Sequence, residues 1–222
     1  MSEDNAFSPK ARLTVCIDFK SPHAWLAVQP TRALEAELGI AADWLPVLTR
    51  VSATPRVATL SDDRGTRHRH MRAEYYERDL QRYANLRGLP LGRASRRDDS
   101  TLASIGLLWV KRTGHAAEQR YIDGVFSRYF THGQPIALAS SDAIAAVVAL
   151  AGADPDGFAS FIAEGGTAGT GAAELAALQV QLQSAGLAQA PSYLVDGDLF
   201  NGRAHLPMIR WLLTDRRGPA PV

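Results

Sequence analysis

Cysteine is almost missing from this chain: Cys16 is the only one in 222 residues. An intramolecular disulfide is therefore impossible, as is any redox cycle that closes one cysteine on another. Cys16 lies within an apolar, β-branched run, where a lone thiol reads as a small buried hydrophobe. Long hydrophobic runs are missing too. No stretch of about 18 apolar residues occurs, so no segment is expected to span a membrane. The first residues, Ser2-Glu-Asp-Asn-Ala6, are polar and acidic, without the basic-then-apolar pattern of a secretory leader. A soluble cytoplasmic protein is the expectation. Excess charge of one sign is also absent: 24 Lys and Arg against 23 Asp and Glu leave a formal net charge of +1. That balance provides no general attraction to nucleic acid or to an anionic membrane. The basic run Arg64-Gly-Thr-Arg-His-Arg-His-Met-Arg72 has no interleaved aromatics and reads as a solvated or anion-contacting loop. His68 and His70 are close neighbours, but no Cys/His/Asp cluster with ligand spacing accompanies them, and no metal site is expected.

What the chain does have is a pair of strand-to-turn segments near its two ends. Leu13, Val15, Ile17 and Phe19 alternate with smaller or polar residues, the pattern of a buried strand. The strand stops at Lys20-Ser21-Pro22. Ser21 is a good helix N-cap, and Pro22 suits the first helical position because its missing N–H is not needed there. A helix then runs to Leu38 and closes at Gly39. A hydroxyl at this junction sits among backbone N–H groups at the positive end of the helix dipole, a place to hold a thiolate or a carboxylate. From this stretch alone, Ser21 reads first as a plain cap. Far along the chain, Ser192–Val195 reads as a strand, Asp196-Gly197 as a turn, and a second short strand ends at Gly202, followed by a helix over 205–213. Proline at the head of a central strand cannot donate to the ladder, and a cis peptide between Ala190 and Pro191 is one reason to find it there.

Between these ends, Ala42–Leu48 reads as a second strand, parallel to the first because a helix joins them. Residues 49–69 lose periodicity and read as a long loop. A helix is predicted from about His70 to Leu86, stopped by Gly88 and Pro90. A loop carrying Arg93, Arg96 and Arg97 leads to a helix over 101–112, which Ser100 can cap. Further helices are predicted over 121–130, 142–150, 157–163 and 171–185. The order is strand–helix–strand, a block of helices, then strand–strand–helix.

Phe19-Lys-Ser-Pro-His-Ala-Trp-Leu-Ala27 and Ala190-Pro-Ser-Tyr-Leu-Val-Asp-Gly-Asp-Leu-Phe-Asn-Gly-Arg203 resemble the two active-site segments of DsbA-like thioredoxin-fold proteins. The likeness is nearest to 2-hydroxychromene-2-carboxylate isomerases and kappa-class glutathione transferases. It extends to Asp79-Leu-Gln-Arg-Tyr-Ala-Asn-Leu-Arg-Gly-Leu-Pro90 and Tyr121-Ile-Asp-Gly-Val-Phe-Ser-Arg-Tyr-Phe130, which are similar to the family's helical insert. The resemblance implies an α/β protein, a thioredoxin fold with a large all-helical insertion between the second and third strands. It would divide the chain into a thioredoxin-like part, 1–65 with 187–222, and an insertion, 66–186. In that group a serine replaces the first redox cysteine and the cis-proline loop binds glutathione.

The activity so implied is a glutathione-dependent cis–trans isomerase acting on an aromatic or conjugated keto acid, with a place in aromatic degradation. A kappa-like glutathione transferase and a non-catalytic binding module are the alternatives. Ser21 would be the catalytic residue. Pro22, Ala190, Pro191, Asn201, Gly202 and Arg203 would hold the cofactor, and Arg50, Tyr75, Arg97, Asp99 and Ser100 would meet a small carboxylate substrate. A homodimer is also implied. One departure is visible: the family usually carries an acid for the γ-glutamyl ammonium where this chain has Ala204, and Asn201 follows Phe200 where an aromatic is often seen.

Overall fold

The computed structural model describes residues 9–50, 63–91, 98–130, 135–162 and 169–221. Four strands form one sheet in the order β2-β1-β3-β4: β1 is Leu13–Ile17, β2 Asp43–Pro46, β3 Ser192–Val195 and β4 Asp198–Asn201. β1 runs parallel to β2 and antiparallel to β3, with Val15 opposite both Trp44 and Tyr193. The two central strands are buried throughout, whereas β4 is an exposed edge.

Alternation of side chains along the strands supplies two cores. Val15, Trp44 and Tyr193 belong to the large core shared with α1 (Pro22–Leu38) and the helical block. Cys16, Leu45 and Leu194 point the other way, onto Leu182 of α7 (Thr170–Ser184) and the nearby Leu187. Glu35, buried in α1, accepts from the Ala42 backbone N–H at 2.7 Å and so ties the end of that helix to the start of β2.

Among the described residues, six helices lie between β2 and β3: α2 (Arg64–Leu86), α3 (Thr101–Lys111), α4 (His115–Tyr129), α5 (Ser141–Leu150), α6 (Pro155–Ile162) and α7. α8 (Leu206–Leu213) follows β4 after a short 3-10 turn, Arg203–His205. No helix among the described residues is long and apolar enough to cross a membrane. Two helix starts differ from the sequence reading by about six residues, the other boundaries by one or two. α2 starts at Arg64, inside the stretch read as loop, because Asp63 caps it by accepting from the Thr66 N–H at 3.0 Å and the Thr66 hydroxyl at 2.6 Å. No apolar residue occurs before Met71, so periodicity was silent there. α4 likewise begins at His115, before its aromatic stripe starts at Tyr121.

Close packing in the helical block centres on Gly106. A Cβ there would lie 2.0 Å from the Tyr121 hydroxyl oxygen, which donates to the Ala103 carbonyl at 2.8 Å. Alanine in a helix interior normally gains about 1 kcal/mol over glycine. Overpacking of a closed core costs about 1–3 kcal/mol, and here it also displaces a buried hydroxyl from its acceptor. Steric cost should win: Gly106→Ala is expected to lower stability by about 2 kcal/mol in urea unfolding, and a neutral or stabilised variant would contradict this packing.

Candidate active site

Ser21 is the N-cap of α1, with extended backbone angles and Pro22 at the first helical position. Its Oγ accepts from the Ala24 N–H at 3.2 Å and donates to the Ala190 carbonyl at 3.2 Å. One side chain thus joins the start of α1 to the loop before β3, and the Ala190–Pro191 bond in that loop is cis. Side-by-side placement of β1 and β3 brings the two segments together, as expected from the sequence.

The loop continues into the edge strand. The Pro191 carbonyl accepts from the Gly202 N–H at 2.8 Å, and Gly202 has φ 94°, a backbone that suits glycine. The Asn201 side chain is turned back to Ser192, its Oδ1 2.9 Å from that hydroxyl. Arg203 leaves the turn toward α2: its guanidinium lies 3.8 Å from the centre of the Tyr83 ring and 4.0 Å from Asp79. The cofactor residues expected from the sequence are therefore contiguous, and α2 reaches them.

Behind Ser21 lies a buried polar network. Asp18 is fully buried just past β1. One carboxylate oxygen accepts from the Ser100 hydroxyl at 2.6 Å and the Lys20 N–H at 3.2 Å. The other accepts from the Thr49 N–H at 2.9 Å and the Thr49 hydroxyl at 2.6 Å, and pairs with the Lys20 ammonium at 3.2 Å. The Lys20 ammonium also reaches the Ser100 hydroxyl at 3.4 Å. The Asp18 carbonyl accepts from the Ser21 N–H at 2.8 Å. A buried carboxylate with this many donors fixes three chain segments around the Ser21 turn.

Of the expected substrate residues, Arg50, Asp99 and Ser100 lie in or next to the Asp18 network, through Thr49 and Ser100. Ser100 is fully buried, and its hydroxyl goes to Asp18 instead of capping α3, because a buried carboxylate is the stronger acceptor. Asp99 takes up the turn instead, accepting from the Thr101 N–H at 2.9 Å and the Thr101 hydroxyl at 2.6 Å. Arg50 is exposed, next to Thr49. Tyr75 stands on the outer side of α2, edge-on to Tyr76 and 60% exposed. Arg97, with Arg93 and Arg96, lies outside the described residues. Asp18, Lys20, Thr49, Asp79 and Tyr83 were given no site role from the sequence, although an acid ending a buried strand signals that partners must exist.

A model of the DSBA-like thioredoxin domain matches residues 12–213. The chain belongs to the DSBA-like thioredoxin family. No curated protein sequence matches it. Among solved structures, a 2-hydroxychromene-2-carboxylate isomerase superposes with TM-score 0.67 at 20% identity, covering 91% of this chain and 94% of that one. A probable DsbA oxidoreductase of Streptomyces coelicolor gives TM-score 0.63 at 16% identity, covering 95% and 92%. The cytosolic disulfide reductase DsbM of Pseudomonas aeruginosa, solved with GSH, gives 0.54 at 17%, covering 92% and 98%. At these identities the likeness establishes the fold.

For a DSBA-like protein, the chemistry of Cys16 matters. It is free and fully buried in β1. Burial, with a smaller push from the Asp43 charge, raises its thiol to about 12. Such a thiol is neither ionised nor reachable near neutral pH. The protein should therefore show no insulin reduction above background. Turnover that disappears in Cys16→Ser would overturn this.

Proposed function

We propose that this DSBA-like protein is a glutathione-dependent cis–trans isomerase of the 2-hydroxychromene-2-carboxylate type, acting on an aromatic or conjugated keto acid. The observation that supports it is a hydroxyl, not a thiol, at the start of α1, 3.2 Å from the carbonyl that precedes the cis-proline. The fold shared with an isomerase of this type, and with a reductase solved with GSH, agrees with that reading. Disulfide exchange fits less well, because Cys16 is buried.

The residues present fit a thiol tripeptide. Ser21 and the first turn of α1 provide a donor and a positive dipole end for the sulfur. Arg203, held against Tyr83, provides a cation for a carboxylate. Ala204 offers nothing to the γ-glutamyl ammonium, and the acid nearest the Arg203 guanidinium is Asp79 of α2, at 4.0 Å. When bound, glutathione supplies a sulfur nucleophile that adds to the substrate's double bond and is expelled after rotation, leaving the thiol unchanged. Ser21 has a single proton, which here goes to the Ala190 carbonyl; turned to the sulfur instead, it stabilises the thiolate. Cationic side chains such as Arg50 would hold the substrate carboxylate.

Calorimetry with reduced glutathione tests this reading. The parent should bind, and Ala204→Glu should tighten binding about fivefold, as for a partly exposed ion pair worth about 1 kcal/mol. Absence of binding in both would overturn the glutathione reading.

A further inference from the structure

Lysine is seldom buried, yet the Lys20 side chain, directly before Ser21, is only 10% exposed. Its ammonium pairs with Asp18 at 3.2 Å and reaches the Ser100 hydroxyl at 3.4 Å. Asp18 does not need that cation to complete its hydrogen bonds. It already accepts from the Ser100 hydroxyl, the Lys20 N–H, and the N–H and hydroxyl of Thr49. A carboxylate offers about four lone-pair sites, and these donors fill them. A lysine ammonium carries about three N–H donors. Among the described residues, Asp18 and Ser100 are its only acceptors, so a donor is left over. A buried, charged donor without an acceptor is costly.

The acids that precede Ser100 in the chain are engaged elsewhere. Asp98 accepts from the Tyr129 hydroxyl at 2.9 Å, and Asp99 from the N–H and hydroxyl of Thr101. Asp18 and Ser100 are closed to solvent, so of these and Lys20 only the lysine keeps part of its side chain open. We propose that the Lys20 ammonium receives the carboxylate of the substrate beside Ser21. A carboxylate brings both the missing acceptor and a negative charge, the pairing that gives a buried ammonium its strongest hydrogen bond.

The class of acid that suits this donor is a conjugated 2-keto acid. Its keto oxygen sits beside a carboxylate oxygen, so one N–H can serve both in a bifurcated bond. When electrons of the conjugated double bond move onto the keto oxygen, the same cation stabilises the charge, and they return as the double bond re-forms. Lys20 keeps its protons throughout. The choice of a conjugated keto acid rests on the isomerase reading, whereas capture of a carboxylate by Lys20 does not. Neither requires glutathione to be bound first.

Calorimetry without any thiol tests this, with benzylidenepyruvate and benzylideneacetone as probes. The second is the same conjugated ketone with a methyl group in place of the carboxylate. The parent should bind the acid about tenfold or more tightly than the ketone, as for one charge-assisted hydrogen bond made away from water. Lys20→Gln removes the cation and leaves Asp18 its other donors. It should bind acid and ketone alike, with the ketone at its parent affinity, because a damaged fold would weaken both. Crystals of the parent grown with the acid supply a second measurement, which decides alone if Lys20→Gln does not fold. They should show the carboxylate within hydrogen-bond distance of the Lys20 Nζ. A parent that binds neither probe or both alike, a Lys20→Gln that keeps the preference, or a carboxylate seated away from Nζ would overturn the assignment. Failure to bind glutathione would leave all of these results standing.

Discussion

Asp18→Ala should cost the fold about 3–5 kcal/mol, the range seen when one partner of a buried ion pair is removed. The carboxylate is fully buried and receives Ser100, Thr49, Lys20 and the backbone beside them. Among the described residues, alanine leaves the Lys20 ammonium with only the Ser100 hydroxyl, at a residue that is 9% exposed. The cost should come mostly from that stranded cation and from unpaired hydroxyls. Asp18→Ala/Lys20→Met should therefore recover about half of the loss, because the double variant removes both charges. Urea unfolding of the two variants decides this. A single variant within about 1 kcal/mol of the parent would show that the network contributes little.

Ser21→Ala separates a thiol-activating site from a plain helix cap. In either case the variant loses the cap to the Ala24 N–H, worth about 0.5–2 kcal/mol. If Ser21 donates to a bound thiolate, the pKa of enzyme-bound glutathione should also rise, since a hydrogen bond to the charged form is lost. Ultraviolet absorbance would then show less thiolate near neutral pH. The isomerase rate should fall about 10²–10³-fold, the typical effect of removing one preorganised donor. Ser21→Thr keeps the hydroxyl and should retain much of the titration. The same small stability loss with an unchanged thiol titration would leave Ser21 as a cap only.

Much of the framework was legible in the chain because its signals are local. Alternation in Leu13–Ile17 and Ser192–Val195 announces strands, Ser21-Pro22 announces a helix start, and Gly39 its end, each within a few residues. These also locate Ser21 and Pro191, because a cap and a proline at strand ends are restricted by backbone geometry alone. Composition excluded an internal disulfide outright. α2 shows where such signals fail: its first two turns hold only Asp63 and polar residues, and a capping acid without apolar periodicity looks like a loop.

What only the tertiary structure decided lies in contacts across long stretches of chain. Asp18 meets Thr49 and Ser100, 31 and 82 residues on, and so diverts Ser100 from its expected place as the α3 cap. Arg203 finds Tyr83 and Asp79 on α2, and the outward side of α2 is defined only once Leu80 and Ala84 dock on α1. The physical reason is common to all of these. A hydroxyl or guanidinium takes the strongest partner that packing brings within reach, and which partner that is depends on the docking of whole helices, whose relative placement no local pattern encodes.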